Sequence, residues 1–421
     1  MVGGEYYHAF GISKLEEDFS SISQGDVLKN SAYLHETIHY LQNFGSLYGV
    51  FQAINIFSDY LGMIINIQNG IFPMSAFAND EQDFIRSMLD CARGDSFDEN
   101  GDCIQCHSIE GIDYEDEYHE FYDEDFPGWE DTFKERIILL FDDGKKYKFG
   151  GAAISESMAY LMEQILYGVS DYSHRLPYDA CRLLYKYVMG EECDNPILLY
   201  GFCYAALMDR NPGNKFYELL QKYKNSERLS TLKEVWQFCG DVFQPIDNKI
   251  LDDIDTKIDM IFLEDEENIC PVYEIENKFT KEYLKERYRD IGQNIPKIKE
   301  IFIVIFDEID PSMRIGATGR LFELIGQPMV FDVKGKLYNN NEKKLVHILA
   351  PFALSEIVLN RRSSCSLIDI CKSYDGHCDE DCSTACWKHY DPHHICILRY
   401  YLYKVGLGNT QFEELEGSPF I

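Results

Sequence analysis

Leu34-His35-Glu36-Thr37-Ile38-His39-Tyr40 is the stretch on which the reading of this 421-residue chain turns. On an α-helix, residues four apart share a face. His35 and His39 can therefore offer two imidazole nitrogens to one zinc ion, with Glu36 beside them to take a proton from activated water. The competing reading is a helix that merely carries two core or polar-face histidines. The flanks favour the metal: Tyr33-Leu34 and Tyr40-Leu41 supply apolar surface on both sides, as a helix buried beside a cleft requires.

Working outward, Asp26 is placed to cap this helix and Gly45 to stop it, which predicts a helix over residues 27–44. Further helices are expected over residues 47–67 and 75–91. Asp59 is the one formal charge between Glu36 and Asp80, but Gln52, Asn55, Asp59 and Asn66 recur at helical spacing and Gly49, Gly62 and Gly70 interrupt the run. That pattern describes a buried amphipathic helix and not a membrane span. Residues 95–135 change character, with acids interleaved among aromatics such as Tyr114, Tyr118, Phe121 and Trp129. This acidic insertion is expected to be a solvated loop, a lid over the cleft, or a recruiter of basic substrate. Two short strands, 136–141 and 145–149, then flank the turn Asp142-Asp143-Gly144. Their hairpin offers an edge on which an extended peptide could pair. After Gly150-Gly151 a helix carries Ile154, Met158, Leu161, Met162 and Ile165 on its apolar side, and more helices follow to about residue 241, punctuated by Asn195-Pro196 and Asn211-Pro212-Gly213.

With this second helix in hand, the chain resembles the HExxH zinc metallopeptidases, the zincins, and among them the gluzincins, whose third zinc ligand is a glutamate on a later helix. The run Gly150-Gly151-Ala152-Ala153-Ile154-Ser155-Glu156-Ser157-Met158-Ala159 is similar to their small-residue entry and Glu-x-x-Ala helix. The resemblance implies a zincin-like catalytic domain with His35, His39 and Glu156 as zinc ligands and Glu36 as general base. Glu163, seven residues beyond Glu156 and on the same face, is a candidate to hydrogen-bond a ligand histidine from outside the coordination shell; an ordinary solvent carboxylate is the alternative. The sequence departs from the family at Thr37, where an apolar residue is usual, at Tyr160, where some members carry an acid, and in the long separation of the two helices. The oxyanion donor stays open among Tyr33, Tyr40, Tyr160 and a distant histidine.

The second half is less regular. Helices are expected over 248–264, 280–291 and 344–360, a strand over the β-branched run Ile301-Phe302-Ile303-Val304-Ile305, and a hairpin over 329–338 turning at Lys334-Gly335. A soft boundary near 240–247 divides the chain into a metallopeptidase domain, 1–240, and a mixed helical domain, 241–421, whose Cys/His-rich segment spans 365–396. There Cys378, Cys382 and Cys386 repeat every four residues, one stripe if helical. With Cys371 they form a possible second, structural zinc site; buried thiols acting as small hydrophobes are the alternative. Cys103-Ile104-Gln105-Cys106-His107 has the spacing of a c-type haem attachment, but without an export signal it reads as a loop knuckle or free thiols. Residues 96–107 fail the calcium-loop register because His107 stands where the bidentate Glu belongs, and Gly316-Ala317-Thr318-Gly319-Arg320 lacks the lysine of a phosphate loop.

Composition sets the outer limits. With 39 basic against 72 acidic residues the formal charge is −33, which argues against nucleic-acid binding through phosphates and favours a basic partner. Apolar residues at 45% specify a chain with a substantial core. Fourteen cysteines without a secretory leader fit thiols or metal ligands in the cytoplasm. The expectation is thus an α+β, predominantly α-helical zinc metallopeptidase acting on a protein or peptide substrate, without stable membrane insertion. Its rival is a non-enzymatic, zinc-stapled acidic module that binds a basic partner.

Overall fold

The structure, a computed structural model, describes residues 4–7, 11–15, 31–68, 92–98, 102–115, 136–168, 175–262, 271–326, 328–332, 334, 348–358, 364–373, 378–384, 386–389 and 396–404. In chain order these form β1 (Gly4–Tyr7), β2 (Ile12–Leu15), α1 (Ser31–Gly45), α2 (Leu47–Gln68), β3 (Ile104–Gln105), β4 (Ile109–Glu115), β5 (Arg136–Phe141), β6 (Lys146–Phe149), α3 (Gly151–Tyr167), β7 (Arg175–Leu176), α4 (Ala180–Met189), α5 (Pro196–Ala206), α6 (Pro212–Lys224), α7 (Leu232–Cys239), α8 (Asn248–Ile261), α9 (Pro271–Ile303), α10 (Arg314–Ala317), α11 (Gly319–Ile325), β8 (Met329–Phe331), α12 (Leu349–Val358), α13 (Ile368–Ser373), α14 (Glu380–Thr384) and α15 (Ile397–Lys404). The fold is mostly helical with small sheets. Among the described residues no helix is long and apolar enough to cross a membrane. Asp26 and the helix expected over 75–91 lie outside the described residues.

Local signals explain most of the helix ends. Asn195 accepts from Ile197 N at 3.1 Å and Asn211 from Asn214 N at 3.3 Å, each with proline at the first helical position, where a missing N–H costs nothing. Thr231 and Glu234 close a reciprocal capping box on α7. Asp307, far along the chain, adds its carboxylate to the same helix start, accepting from Leu232 N and Lys233 N at 2.9 Å each.

Helix α1 is buried on every side from Ala32 to Gly45. It packs against α3, α2, α9 and the β1–β2 ribbon, so its polar residues must find partners inside the protein. The α1–α2 corner is tight: Tyr204 Oη donates to Gly45 O at 3.0 Å, and a Cβ on Gly49 would collide with the carbonyls of Gln42 and Asn43. Across the 240–247 segment the apolar core runs on without a break, with α8 against α2 and α9 against α1. Phe44 and Tyr288 meet at 4.5 Å between ring centroids.

Several expectations are corrected. The run 301–305 is not a strand: residues 301–303 end α9 and 304–305 begin a π-type turn, Val304–Glu308. Leu284, Tyr288, Ile291, Ile295, Ile298 and Phe302 are almost wholly buried at alternating spacings of three and four, and that helical stripe outweighs the β preference of five residues. Met329–Phe331 is a strand, but it pairs in parallel with β2, Ile12 opposite Met329; residues 335–338 of the expected hairpin lie outside the described residues. Part of the acidic insertion is no loop, since Ile109–Glu115 is a strand beside β5, in a sheet ordered β4-β5-β6; residues 99–101 and 116–135 lie outside the description. The hairpin is present, yet β5 is its sheet's central strand. The outer edge of β6 is met at Lys148, whose O accepts from Asp95 N at 2.7 Å and whose N donates to the Asp95 carboxylate at 2.7 Å.

The α1–α2 corner yields a stability prediction. Gly49→Ala adds about 1 kcal/mol of helix propensity but drives a methyl into backbone that cannot turn aside. A net loss of roughly 1–3 kcal/mol is expected in denaturant unfolding; unchanged stability would refute this close approach.

Candidate metal centre

Two helices build the centre. α1 supplies His35, Glu36 and His39; α3, entered directly from the hairpin through Gly150, supplies Glu156 and Glu163. Gly151 permits the approach, because a Cβ there would strike the Tyr48 ring of α2. Gln42, one turn after His39, fixes the register of the helices: its Nε2 donates to Ser155 O at 2.9 Å and its Oε1 accepts from His39 Nδ1 at 2.8 Å.

The same geometry orients both imidazoles. With Nδ1 of His39 held by Gln42, its Nε2 faces Glu156 Oε2 at 3.5 Å. His35 Nδ1 lies 3.2 Å from Glu163 Oε1, and its Nε2 lies 3.2 Å from the same Glu156 oxygen. The three donor atoms lie within 4.8 Å of one another. Ligands at about 2.0–2.1 Å from a tetrahedral zinc stand roughly 3.3 Å apart, so the spacing from Glu156 to each imidazole suits that ion. All five residues singled out from the sequence, His35, Glu36, His39, Glu156 and Glu163, are thus brought to one place.

Electrostatics reinforce the geometry. Burial pulls His35 down, but hydrogen bonds and charge from Glu156 and Glu163 outweigh it and hold this imidazole well above its ordinary value. His39 is likewise raised, Glu156 overcoming burial. Burial pushes Glu156 up, yet His39 and His35 hold it far below the usual carboxylate range. Glu36 behaves oppositely: burial lifts it to about 7 although both imidazoles pull the other way. Only 4% exposed, it has one carboxylate oxygen, Oε2, without a hydrogen-bond partner among the described residues. The Glu156 side chain keeps 19% of its surface accessible, so the centre reaches solvent.

Gln42 and Tyr178 are not singled out by the sequence. Gln42 carries a local signal, a polar side chain three residues after His39, but Asn43 beside it carries the same one. Tyr178 carries none, because its place depends on tertiary contacts. Ser157, the neighbour of Glu156, donates to Pro177 O at 3.0 Å and accepts from Cys181 N at 3.3 Å, pinning the turn that carries Tyr178. The half-buried Tyr178 ring meets His35 edge-on at 5.9 Å and Tyr160 at 5.9 Å. Of the tyrosines expected near the centre, Tyr40 donates to Ile325 O at 3.3 Å, and Tyr160 Oη accepts from Gln164 Nε2 at 2.8 Å.

The C-terminal thiols are arranged differently from the single helical stripe expected. Cys371 is on α13, Cys378 precedes α14, Cys382 is on α14, and Cys386 falls in a separate 3-10 turn, Cys386–Lys388. The compact donor group there is Asp379, Cys382 and His389. Cys103 and Cys106 flank β3 outside any disulfide and join no metal-ligand group among the described residues. No protein-family model, curated protein or solved structure matches the chain.

Because Glu163 orients His35, Glu163→Gln should weaken zinc binding about 10–100-fold while leaving the helices intact. Competition against a chelator of known affinity measures this; an unchanged constant would make Glu163 a bystander.

Proposed function

We propose that the chain is a zinc-dependent metallopeptidase with a gluzincin-type ligand set, His35, His39 and Glu156, hydrolysing peptide bonds of a protein or peptide substrate. The carrying observation is Glu36. A zinc that only staples helices needs ligands held in place by their own partners, and His35, His39 and Glu156 suffice for that. It has no use for a further buried carboxylate with an oxygen left open, which costs stability. A general base needs that open oxygen.

Zinc bound by these residues supplies Lewis acidity, which acidifies water and polarises a substrate carbonyl. Glu36 accepts the proton of the attacking water at its open oxygen and returns it to the leaving amine. Glu163 and Gln42 keep the two imidazoles in the tautomer that leaves Nε2 free for the metal. Tyr178, bordering His35, is the phenol we assign to the developing oxyanion. The charge of −33 favours a basic substrate by steering it to the surface.

Two variants test the assignment against a peptide library read by mass spectrometry. Glu36→Gln should keep its zinc and lose about 10²–10⁴-fold in kcat. His35→Ala/His39→Ala should lose both activity and about one equivalent of metal. A zinc-loaded chain that cleaves nothing, or a Glu36→Gln variant as active as its parent, would sink the peptidase reading and leave the zinc-stapled interaction module. Tyr178→Phe should lower kcat about 10–10³-fold with KM and zinc content little changed; an equal rise in KM alone would move Tyr178 to substrate binding.

A further inference from the structure

The C-terminal segment holds a second set of metal-binding side chains, outside the centre described above. Its described elements are short: α13 has six residues, α14 five, and the following 3-10 turn three. Helices of that length do not hold themselves in water, so their shape depends on packing, to which Leu367, Ile370 and Cys386 contribute, and on whatever ties the elements together. Asp379 stands at the start of α14 and uses both oxygens, Oδ1 accepting from Cys382 N at 3.2 Å and Oδ2 lying 2.9 Å from His389 Nδ1. Cys382 and His389 are 7% and 3% exposed, and donor atoms of the three residues lie within 4.8 Å of one another. The Cys378 thiol, which donates to Ile368 O at 3.8 Å, is within hydrogen-bonding reach of both Cys371 and Cys382. Cys365 N donates to Cys382 O at 2.8 Å, fixing α14 against the chain that leads into α13.

We propose that Asp379, Cys382 and His389 hold one zinc ion that staples this segment, and that the Cys378 thiol, outside that compact group, turns from Ile368 O to complete the shell as fourth ligand. Two thiolates and an imidazole are soft and borderline donors that select zinc over calcium or magnesium, and the single carboxylate is compatible with a four-coordinate site. All four ligands come from within twelve residues, and the ion ties the start of α14, its body and the turn beyond it. The donor set exchanges Cys371 and Cys386 of the sequence reading for Asp379 and His389. Cys386 instead lies in hydrogen-bonding reach of Cys365. The site is independent of the peptidase reading, because the first centre contains no sulfur.

The test uses the full chain carrying His35→Ala/His39→Ala, so that the first centre cannot contribute. About one equivalent of zinc should remain by elemental analysis. The cobalt-substituted protein should show thiolate-to-cobalt charge transfer in the near ultraviolet, and zinc X-ray absorption should give two sulfur and two nitrogen or oxygen neighbours. Adding Cys382→Ser/His389→Ala should remove the metal and the charge-transfer band, with helical circular dichroism otherwise retained. No residual zinc, a four-sulfur shell, or metal that survives those two substitutions would overturn the site. Should the combined variant fail to fold, the shell measured before those substitutions decides by itself.

Discussion

The contact between α1 and α3 is the constraint on which everything else rests, and Gln42 is its hinge pin. One amide grips Ser155 O on the facing helix with its nitrogen and His39 with its oxygen. A slip of α3 along α1 would break the first bond and release the second, so the carbonyl preceding Glu156 and the orientation of His39 are set together. Glu163, two turns further along α3, performs the corresponding service for His35. The helices thus place the candidate ligands and the groups that aim them in one step, which is how a rigid element gives a more exact site than a loop does.

That precision is expensive in a buried place. Three carboxylates and two imidazoles crowd between helices, where each unpaired charge costs several kcal/mol. The pull on the imidazoles describes what the cluster needs: Glu156 and Glu163 overcome burial to raise His35, and Glu156 does so for His39, so the carboxylates favour positive charge where the two Nε2 atoms and Glu156 converge. Glu36 stands apart, lifted to about 7 by burial, and can hold or release a proton near neutrality.

What could be read in the sequence was what adjacent residues decide. The four-residue spacing of His35 and His39, the entry Gly150-Gly151 before Glu156, and the Asn-Pro starts of α5 and α6 all act within a turn or two of chain, and the structure places each as read. The failures lie where partners are distant or a window is too short. Residues 301–305 look like a strand because a window of five β-branched and aromatic residues is too short to include the buried stripe that begins at Leu284. Met329 pairs with Ile12 in parallel across most of the chain, and no local pattern announces such a partner. The Cys378, Cys382 and Cys386 stripe assumed one helix, but α14 ends at Thr384, so the third thiol turns away and His389 comes in. Tyr178 is placed through Ser157, a contact that depends on α3 and the turn meeting in space.

The second half of the chain bears on the centre from behind. One face of α1 carries His35 and His39 towards Glu156 on α3; α9 holds α1 elsewhere, through Phe44 on Tyr288, while a Cβ on Gly45 would meet Ile291 and Ile298. Tyr40 Oη reaches Ile325 O at the end of α11, and β8 joins the ribbon that lies on the same helix. A helix whose inner face carries three ionisable residues set against two more on α3 cannot draw its stability from that face. Its apolar residues must secure it elsewhere, and nearly all of them, Leu34, Ile38, Tyr40, Leu41 and Phe44, are buried to within a few per cent. The C-terminal half is for this reason part of the machinery that keeps Glu36 buried and open. Loosening α9 would unseat α1, and any water that then reached Glu36 would return its carboxyl towards the ordinary range, since burial is what lifts it.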